Sequence, residues 1–265
     1  MNPEEANFRK FGPPPHTLVL VHGGPGAAGS LGALARELSR TTGVIDAYQT
    51  GYNIPSLLEE LHAIITRHAS TPVVLLGHSW GAWLSLLFAG RHSPLVRKLI
   101  LVASAPLEDK YVPGILETRM NRLDKKEREK FTELARRLEL PETDDRDQLF
   151  LELACILRKA DAFDAAQNPA EDVMMDYERY MSVWKEAERM RSSGDLIRLA
   201  GEMTCPALAI HGDYDPHPFA GVSDPLSRTL QDFNFILLPK CGHYPWLERH
   251  AKDRFYHILK KEIGV

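Results

Sequence analysis

The segment Val73-Val74-Leu75-Leu76-Gly77-His78-Ser79-Trp80-Gly81 decides how this chain is expected to fold. Its apolar start is typical of a buried strand, and the helix-like residues 82–89 follow directly. The Gly-x-Ser-x-Gly pattern in between resembles a nucleophile elbow, a tight strand-to-helix turn that exposes a serine hydroxyl. Gly77 and Gly81 would relieve the crowding in such a turn. We therefore expect Ser79 to be a nucleophile, although roughly one chain in ten of this length carries the pattern by chance as a plain glycine-rich turn.

The composition is that of an ordinary globular protein. Of the 265 residues, 44% are hydrophobic and 26% are charged, and the formal net charge is −4. Such a chain has no basic field that would attract nucleic acid or acidic membranes. We expect its partner to be a small-molecule or short-peptide substrate, and the sequence leaves the oligomeric state open.

The cysteines and the N-terminus predict a cytoplasmic protein. Cys155, Cys205 and Cys241 are too few and too scattered for a disulfide framework, which favours a reducing compartment. The first ten residues contain no apolar segment of signal-peptide length, and no run of about 18 apolar residues occurs anywhere. We expect neither secretion nor a membrane span.

Short apolar runs alternate with longer helical patterns, which predicts an α/β fold with a mostly parallel sheet covered by helices on both faces. The predicted strands lie at about 17–22, 43–47, 73–76, 97–103, 207–211 and 234–238. The predicted helices lie at about 30–40, 56–69, 80–91, 222–231 and 246–262.

The middle of the chain follows a different pattern. Between Pro106 and about Ala200, charged amphipathic segments without a convincing strand predict an all-helical insertion. The predicted domains are a core made of residues 1–105 and 201–265 and the insertion, residues 106–200.

A glycine-rich loop, His22-Gly23-Gly24-Pro25-Gly26, follows the first predicted strand. In acyl transfer the carbonyl oxygen of the substrate gains negative charge, and fixed amide donors stabilise that charge most strongly in the transition state. We predict an oxyanion hole formed by the N–H groups of Gly24 and Trp80, with a plain Gly-Pro turn as the alternative. His22 is expected to fix the loop by hydrogen bonding rather than to act as a base.

A serine nucleophile needs a base, and the base needs a carboxylate that orients it. His243 follows the last predicted strand and has Gly242 beside it, so we predict that it is the base. Asp213 and Asp215 both follow the strand before, and either could be the acid. The resulting order of serine, acid and histidine is that of the α/β-hydrolase triad.

Histidines and aspartates alternate around that acid, in His211-Gly212-Asp213-Tyr214-Asp215-Pro216-His217, which could suggest metal ligands. No second cluster with metal-site spacing accompanies them. We therefore predict that the protein needs neither a metal nor another cofactor.

With these residues the chain resembles the α/β-hydrolase superfamily over almost its full length. The segment 22–26 together with Ser79-Trp80-Gly81 is particularly similar to the proline iminopeptidases, which remove an N-terminal residue, preferably proline, from peptides. The resemblance places the acid three residues after Gly212, which selects Asp215 over Asp213. It also implies that the helical insertion is a lid over the active site.

Several features depart from that family. Little precedes Thr17, where relatives begin with an antiparallel pair of strands, and Ala47-Tyr48-Gln49-Thr50-Gly51 stands where they carry Asp-Gln-Arg-Gly. The glutamate segment with which iminopeptidases hold the substrate's ammonium group is not found. Acids of the insertion could substitute for it, or could simply be solvated: Glu171, Asp172, Asp176 and Glu178.

Substrate choice is expected to depend on an apolar cluster in the insertion. Within it we predict that Met175, Tyr180 and Trp184 line the substrate pocket, while packing of the lid onto the core is the alternative explanation. The leading hypothesis is a serine hydrolase acting on an ester or an amide, either an iminopeptidase-like aminopeptidase or a carboxylesterase on small acyl esters. The alternative of another class is a non-catalytic binding module that keeps the fold.

Overall fold

The computed structural model describes residues 7–140, 143–166 and 173–265. The strands are β1 (Phe8–Phe11), β2 (His16–Val21), β3 (Ala27–Ala28), β4 (Gly43–Ala47), β5 (Val73–His78), β6 (Val96–Val102), β7 (Met174–Met175), β8 (Ala207–Gly212) and β9 (Phe233–Leu238). The helices are α1 (Gly32–Leu38), α2 (Ile54–His68), α3 (Trp80–Arg91), α4 (Ile115–Arg122), α5 (Lys125–Glu139), α6 (Arg146–Asp161), α7 (Tyr177–Ser192), α8 (Asp195–Ala200), α9 (Ala220–Thr229) and α10 (Lys252–Ile263).

Seven strands form the central sheet in the order β1-β4-β2-β5-β6-β8-β9. Every neighbouring pair is parallel except β1 and β4, which are antiparallel. The mostly parallel sheet expected from the sequence is therefore confirmed. Since parallel strands end at the same edge, the segments that follow β2, β5, β8 and β9 come together there.

Both faces of the sheet are covered, which explains why its strands are almost continuously apolar. Side chains alternate between the faces along each strand. In β5, Val73 and Leu75 belong to one buried cluster with residues of α2 and α3, whereas Val74 and Leu76 belong to a second cluster with residues of α1 and α10.

The first strand was not expected from the sequence. Its four residues, Phe8-Arg9-Lys10-Phe11, lie at the edge of the sheet, and Arg9 and Lys10 are exposed. Charged side chains on an edge strand discourage pairing with another chain, but they also conceal the apolar pattern of a strand. One antiparallel strand therefore precedes β2, where the sequence indicated little structure.

The expectation that the insertion contains no strand is wrong at one point. Met174 and Met175 pair in antiparallel fashion with Ala28 and Ala27, in a two-stranded sheet apart from the central one. Such a short pair carries no periodic signal in the sequence. It joins the chain before α7 to the glycine-rich loop after β2.

The last helix begins later than predicted, at Lys252 rather than at residue 246. Residues between β9 and α10 form turns instead, and Glu248 among them is fully buried. Among the described residues, no helix combines the length and the apolar character that crossing a bilayer requires.

Candidate active site

The turn between β5 and α3 has the strained geometry that a nucleophile elbow requires. Ser79 has φ 54° and ψ −118°, in a region that non-glycine residues rarely occupy. A Cβ atom on Gly77 would lie 2.3 Å from the carbonyl oxygen of Gly81, and one on Gly81 would lie 2.1 Å from the carbonyl oxygen of Val21. The two glycines are therefore required by close backbone contacts on either side of the serine.

His243 and Asp215 lie in direct contact at the ends of β9 and β8. The Nδ1 atom of His243 is 2.7 Å from Oδ2 of Asp215, so the N–H at Nδ1 donates to the carboxylate and Nε2 is left to accept a proton. Asp213 instead accepts a hydrogen bond from the backbone N–H of Cys241 at 3.2 Å. The geometry thus supports Asp215 as the acid and Asp213 as a turn residue.

The carboxylate of Asp215 receives further hydrogen bonds. The backbone N–H and the Nδ1–H of His217 both donate to its Oδ1 at 2.9 Å, and Nε2 of His211 lies 3.4 Å from its Oδ2. Burial alone would raise the pKa of Asp215, but His243, His217 and His211 hold it well below its usual range. Burial also lowers the pKa of His217 to about 4, so that this histidine is neutral near pH 7.

The glycine-rich loop after β2 approaches the elbow closely. A Cβ atom on Gly23 would lie 2.9 Å from Cβ of Ser79, and Gly24 has φ 63°. Trp80 is the first residue of α3, where the N–H group has no partner within the helix. Gly24, Ser79, Trp80 and His243 line one cavity, which is the arrangement expected for a serine, its base and an oxyanion hole.

Gln49, which the sequence did not single out as a site residue, connects the loop to the elbow. Its side-chain oxygen accepts a hydrogen bond from Nε1 of Trp80 at 2.7 Å, and its side-chain nitrogen donates to the carbonyl oxygen of His22 at 2.9 Å. Its backbone N–H donates to Nε2 of His22 at 3.2 Å. Burial lowers the pKa of His22 to about 4, so a neutral imidazole accepts this bond.

A second residue that the sequence did not single out, Glu248, holds the histidine loop. Its Oε1 accepts hydrogen bonds from the backbone N–H groups of Phe163 at 2.8 Å and Gly242 at 2.9 Å, and its Oε2 accepts from Asp164 at 2.8 Å. A buried carboxylate with three such donors fixes the loop against the segment after α6. The backbone N–H of His243 also donates to the carbonyl oxygen of Asp161, at 2.9 Å.

The cavity has a volume of about 220 Å³, smaller than the roughly 300–1,000 Å³ of sites for drug-sized ligands. Met175, Tyr180 and Trp184 all line it, as do residues of α6. Trp184 also stacks on Trp83 of α3, with ring centroids 5.6 Å apart. This residue therefore both lines the cavity and packs the insertion onto the core. A small apolar group would fit beside Ser79.

Three formally charged side chains line the cavity in addition to its histidines: Arg119, Arg158 and Asp161. Two hydrogen bonds join Arg119 to Asp161, from Nε to Oδ1 at 2.7 Å and from Nη2 to Oδ2 at 2.8 Å. Arg158 lies over the ring of Tyr244, with Cζ 5.5 Å from its centroid. None of these charges was expected from the sequence, because the helices that carry them show only an amphipathic pattern.

The acids considered as ammonium ligands lie elsewhere or outside the described residues. Asp176 accepts a hydrogen bond from the hydroxyl of Tyr52 at 3.2 Å and pairs with Arg179 at 3.0 Å. Neither it nor Glu178 lines the cavity. Glu171 and Asp172 fall outside the described residues.

One group of side chains among the described residues could hold a metal ion, namely Asp215, His217 and His243, whose ligand-type atoms lie within 4.8 Å of one another. The Nδ1 atoms of both histidines already share the carboxylate oxygens of Asp215. A metal bound through these atoms would replace the hydrogen bond that orients His243.

Comparison with known proteins assigns this chain to a family. A profile of the alpha/beta hydrolase family matches residues 18–257. No curated protein sequence matches the chain. Among solved structures, VinJ is similar with a TM-score of 0.65 and 19% identity, over 97% of this chain and 94% of VinJ.

Two further solved structures are similar to this chain at comparable TM-scores and sequence identities. A carboxylesterase of Nitrososphaera gargenis has a TM-score of 0.65 and 16% identity, over 97% of this chain and 93% of that one. A proline iminopeptidase of Mycobacterium smegmatis has a TM-score of 0.62 and 18% identity, over 99% of this chain and 96% of that one. The protein therefore has the α/β-hydrolase fold, and the chain belongs to the alpha/beta hydrolase family.

Proposed function

We propose that the protein is a serine hydrolase that cleaves ester bonds of small substrates through an acyl-enzyme. The observation that carries the proposal is the placement of Ser79, His243, Gly24 and Trp80 around one cavity, with Asp215 bound to His243. In this arrangement helices α4–α7, which follow β6, serve as the lid of the predicted insertion, residues 106–200.

The chemistry follows from the roles of these groups. His243 accepts the proton of Ser79 through Nε2 while the serine oxygen bonds to the substrate carbonyl carbon. The N–H groups of Gly24 and Trp80 stabilise the negative charge on the carbonyl oxygen. His243 then protonates the departing alcohol, and a water molecule activated by the same histidine hydrolyses the acyl-enzyme.

The charge of the cavity favours an esterase over the iminopeptidase-like aminopeptidase. An aminopeptidase needs a free carboxylate for the ammonium group of its substrate. Among the described residues that line the cavity, the only carboxylate apart from the candidate triad is that of Asp161, and Arg119 neutralises it through two hydrogen bonds. A cationic substrate would therefore meet no free carboxylate among the described residues of this cavity.

Kinetic measurements on one preparation test the proposal. Short-chain p-nitrophenyl esters should be hydrolysed and prolyl amides should not. Ser79→Ala should lower ester hydrolysis by about 10⁴-fold or more while the fold is kept. An unchanged rate in Ser79→Ala would overturn serine catalysis, and faster turnover of prolyl amides than of esters would favour the aminopeptidase. A complete lack of turnover in the wild type would favour a binding module.

A further inference from the structure

Arg158, like Arg119 and Asp161, is a charged residue of the cavity that the proposed reaction does not use. It lies on α6 three residues before Asp161, but the carboxylate of Asp161 is bound by Arg119 from α4. The two partners cancel in charge, so that among the described residues of the cavity wall no carboxylate compensates the guanidinium of Arg158. Burial also lowers the pKa of the lining residue His217 to about 4, so that it adds no positive charge near pH 7.

The contacts of Arg158 leave part of its hydrogen-bonding capacity unused. Its Nε atom is buried and has no hydrogen-bond partner among the described residues. The ring of Tyr244 packs against the guanidinium, and burial raises the pKa of that phenol to about 12, so Tyr244 supplies no negative charge. An acidic ligand in the cavity would give the rest of the guanidinium the acceptors that the described residues do not supply.

The shape and the lining of the cavity define the acid that fits. A planar guanidinium can donate two parallel hydrogen bonds to the two oxygens of a carboxylate. The ring of Tyr244, which packs on the guanidinium, keeps its plane oriented. Apolar residues such as Phe150, Leu153 and Met175 line the space around it. A short carbon chain with one singly charged carboxylate suits this wall, because its single negative charge balances the one guanidinium that no described carboxylate neutralises.

We propose that Arg158 binds a carboxylate of the substrate, so that the preferred substrates are small esters carrying a second, free acid group. The inference rests on the proposed function, because it concerns the same cavity as Ser79. It identifies the substrate class as monoesters of dicarboxylic acids, or esters whose alcohol part bears the acid.

The test compares substrates that differ only in charge. Mono-p-nitrophenyl glutarate carries the acid on the acyl side and is compared with p-nitrophenyl pentanoate, which is neutral, and p-nitrophenyl 4-aminobutanoate, which is cationic. An ester of butanoic acid with 4-hydroxybenzoate, compared with phenyl butanoate, places the acid on the alcohol side. The pair with the larger difference in kcat/KM shows whether Arg158 binds a carboxylate on the acyl side or on the alcohol side of the ester.

Arg158→Gln should lower kcat/KM for the preferred anionic ester by about 30-fold, the loss expected for one charged hydrogen-bonding partner. The same variant should lose at least about tenfold less in kcat/KM for the neutral esters than for the anionic one, and an unchanged circular dichroism spectrum shows that it folds. Lys159→Gln is the matched control, since it removes one positive charge from the exposed side of the same helix. Arg158→Lys should restore part of the anionic preference.

The outcomes separate this inference from the proposed function. Equal turnover of anionic and neutral esters by the wild type, or equal losses in Arg158→Gln and Lys159→Gln, would overturn the role of Arg158 while leaving ester hydrolysis intact. If no ester is hydrolysed, calorimetric titration of Ser79→Ala with glutarate still tests whether Arg158 binds a carboxylate. Binding that Arg158→Gln abolishes would support the inference, and absent or unchanged binding would overturn it.

Discussion

The indole Nε1–H of Trp80 donates a hydrogen bond of 2.7 Å to the side-chain oxygen of Gln49, and both residues are buried. The other end of the same side chain donates to the carbonyl oxygen of His22 at 2.9 Å. One glutamine thus bridges the two segments that supply the amides of the proposed oxyanion hole. We expect this bridge to fix the distance between those amides, although Gln49 itself does not line the cavity.

Replacing Gln49 by leucine removes both hydrogen bonds and leaves Trp80 Nε1 without its partner. We expect kcat for a short p-nitrophenyl ester to fall about tenfold or more with little change in KM, because the oxyanion is bound mainly in the transition state. Gln231→Leu, at an exposed position, is the matched control and should keep the wild-type kcat. A change confined to KM would argue that Gln49 acts on the substrate pocket instead.

Glu248 should contribute to the stability of the fold through its three backbone hydrogen bonds. In Glu248→Gln an amide N–H₂ faces one or more of the three backbone donors that the carboxylate now satisfies. We expect a loss on the order of 3 kcal/mol in the free energy of unfolding, measured by urea denaturation. The exposed Glu59→Gln provides the control. A loss no larger than that of the control would show that the histidine loop does not depend on this carboxylate.

Asp46 is a buried carboxylate on β4, and neither of its oxygens has a hydrogen-bond partner among the described residues. Burial raises its pKa from 3.8 to about 7, against the smaller opposing effects of Arg9 and Arg36. The folded protein therefore holds this proton more tightly than the unfolded chain does. Its contribution to stability is complete below pH 3.8 and is lost as the pH rises through about 7.

Asp46→Asn removes this dependence, since the amide stays neutral. The stability of the variant relative to the wild type, measured as the difference in free energy of unfolding, should be about 3 kcal/mol higher at pH 8 than at pH 5. Denaturation curves at the two pH values measure the difference, with the exposed Asp232→Asn as the control. A variant whose relative stability does not change with pH would contradict a protonated Asp46.

Much of the fold could be predicted because its signals are local. Continuous apolar runs marked the parallel strands, and the glycines around Ser79 marked a turn whose close contacts admit no side chain. The edge strand β1 was missed because Arg9 and Lys10 interrupt its apolar pattern. The predicted start of α10 was wrong because the buried side chain of Glu248 holds the preceding residues in turns.

The site could be predicted only in part for a related reason. Ser79, Asp215 and His243 each follow a strand, so the topology of a parallel sheet brings them to one edge. Gln49 and Arg158 act through contacts between segments distant in sequence, and no spacing or periodicity reports such contacts. In the sequence, Arg158 is indistinguishable from the other cations of an amphipathic helix. Only the structure shows that α6 brings it to the wall of the cavity.

Ser79 is proposed to be an activated nucleophile, and covalent labelling tests that role most directly. A fluorophosphonate probe reacts with a serine whose hydroxyl is activated by a neighbouring base, and peptide mass spectrometry locates the adduct. We predict one adduct, on Ser79, that disappears in Ser79→Ala and persists in Ser85→Ala, which changes a buried serine on α3. The absence of an adduct on Ser79 in the folded wild-type protein, or equal labelling of Ser79→Ala, would contradict an activated Ser79.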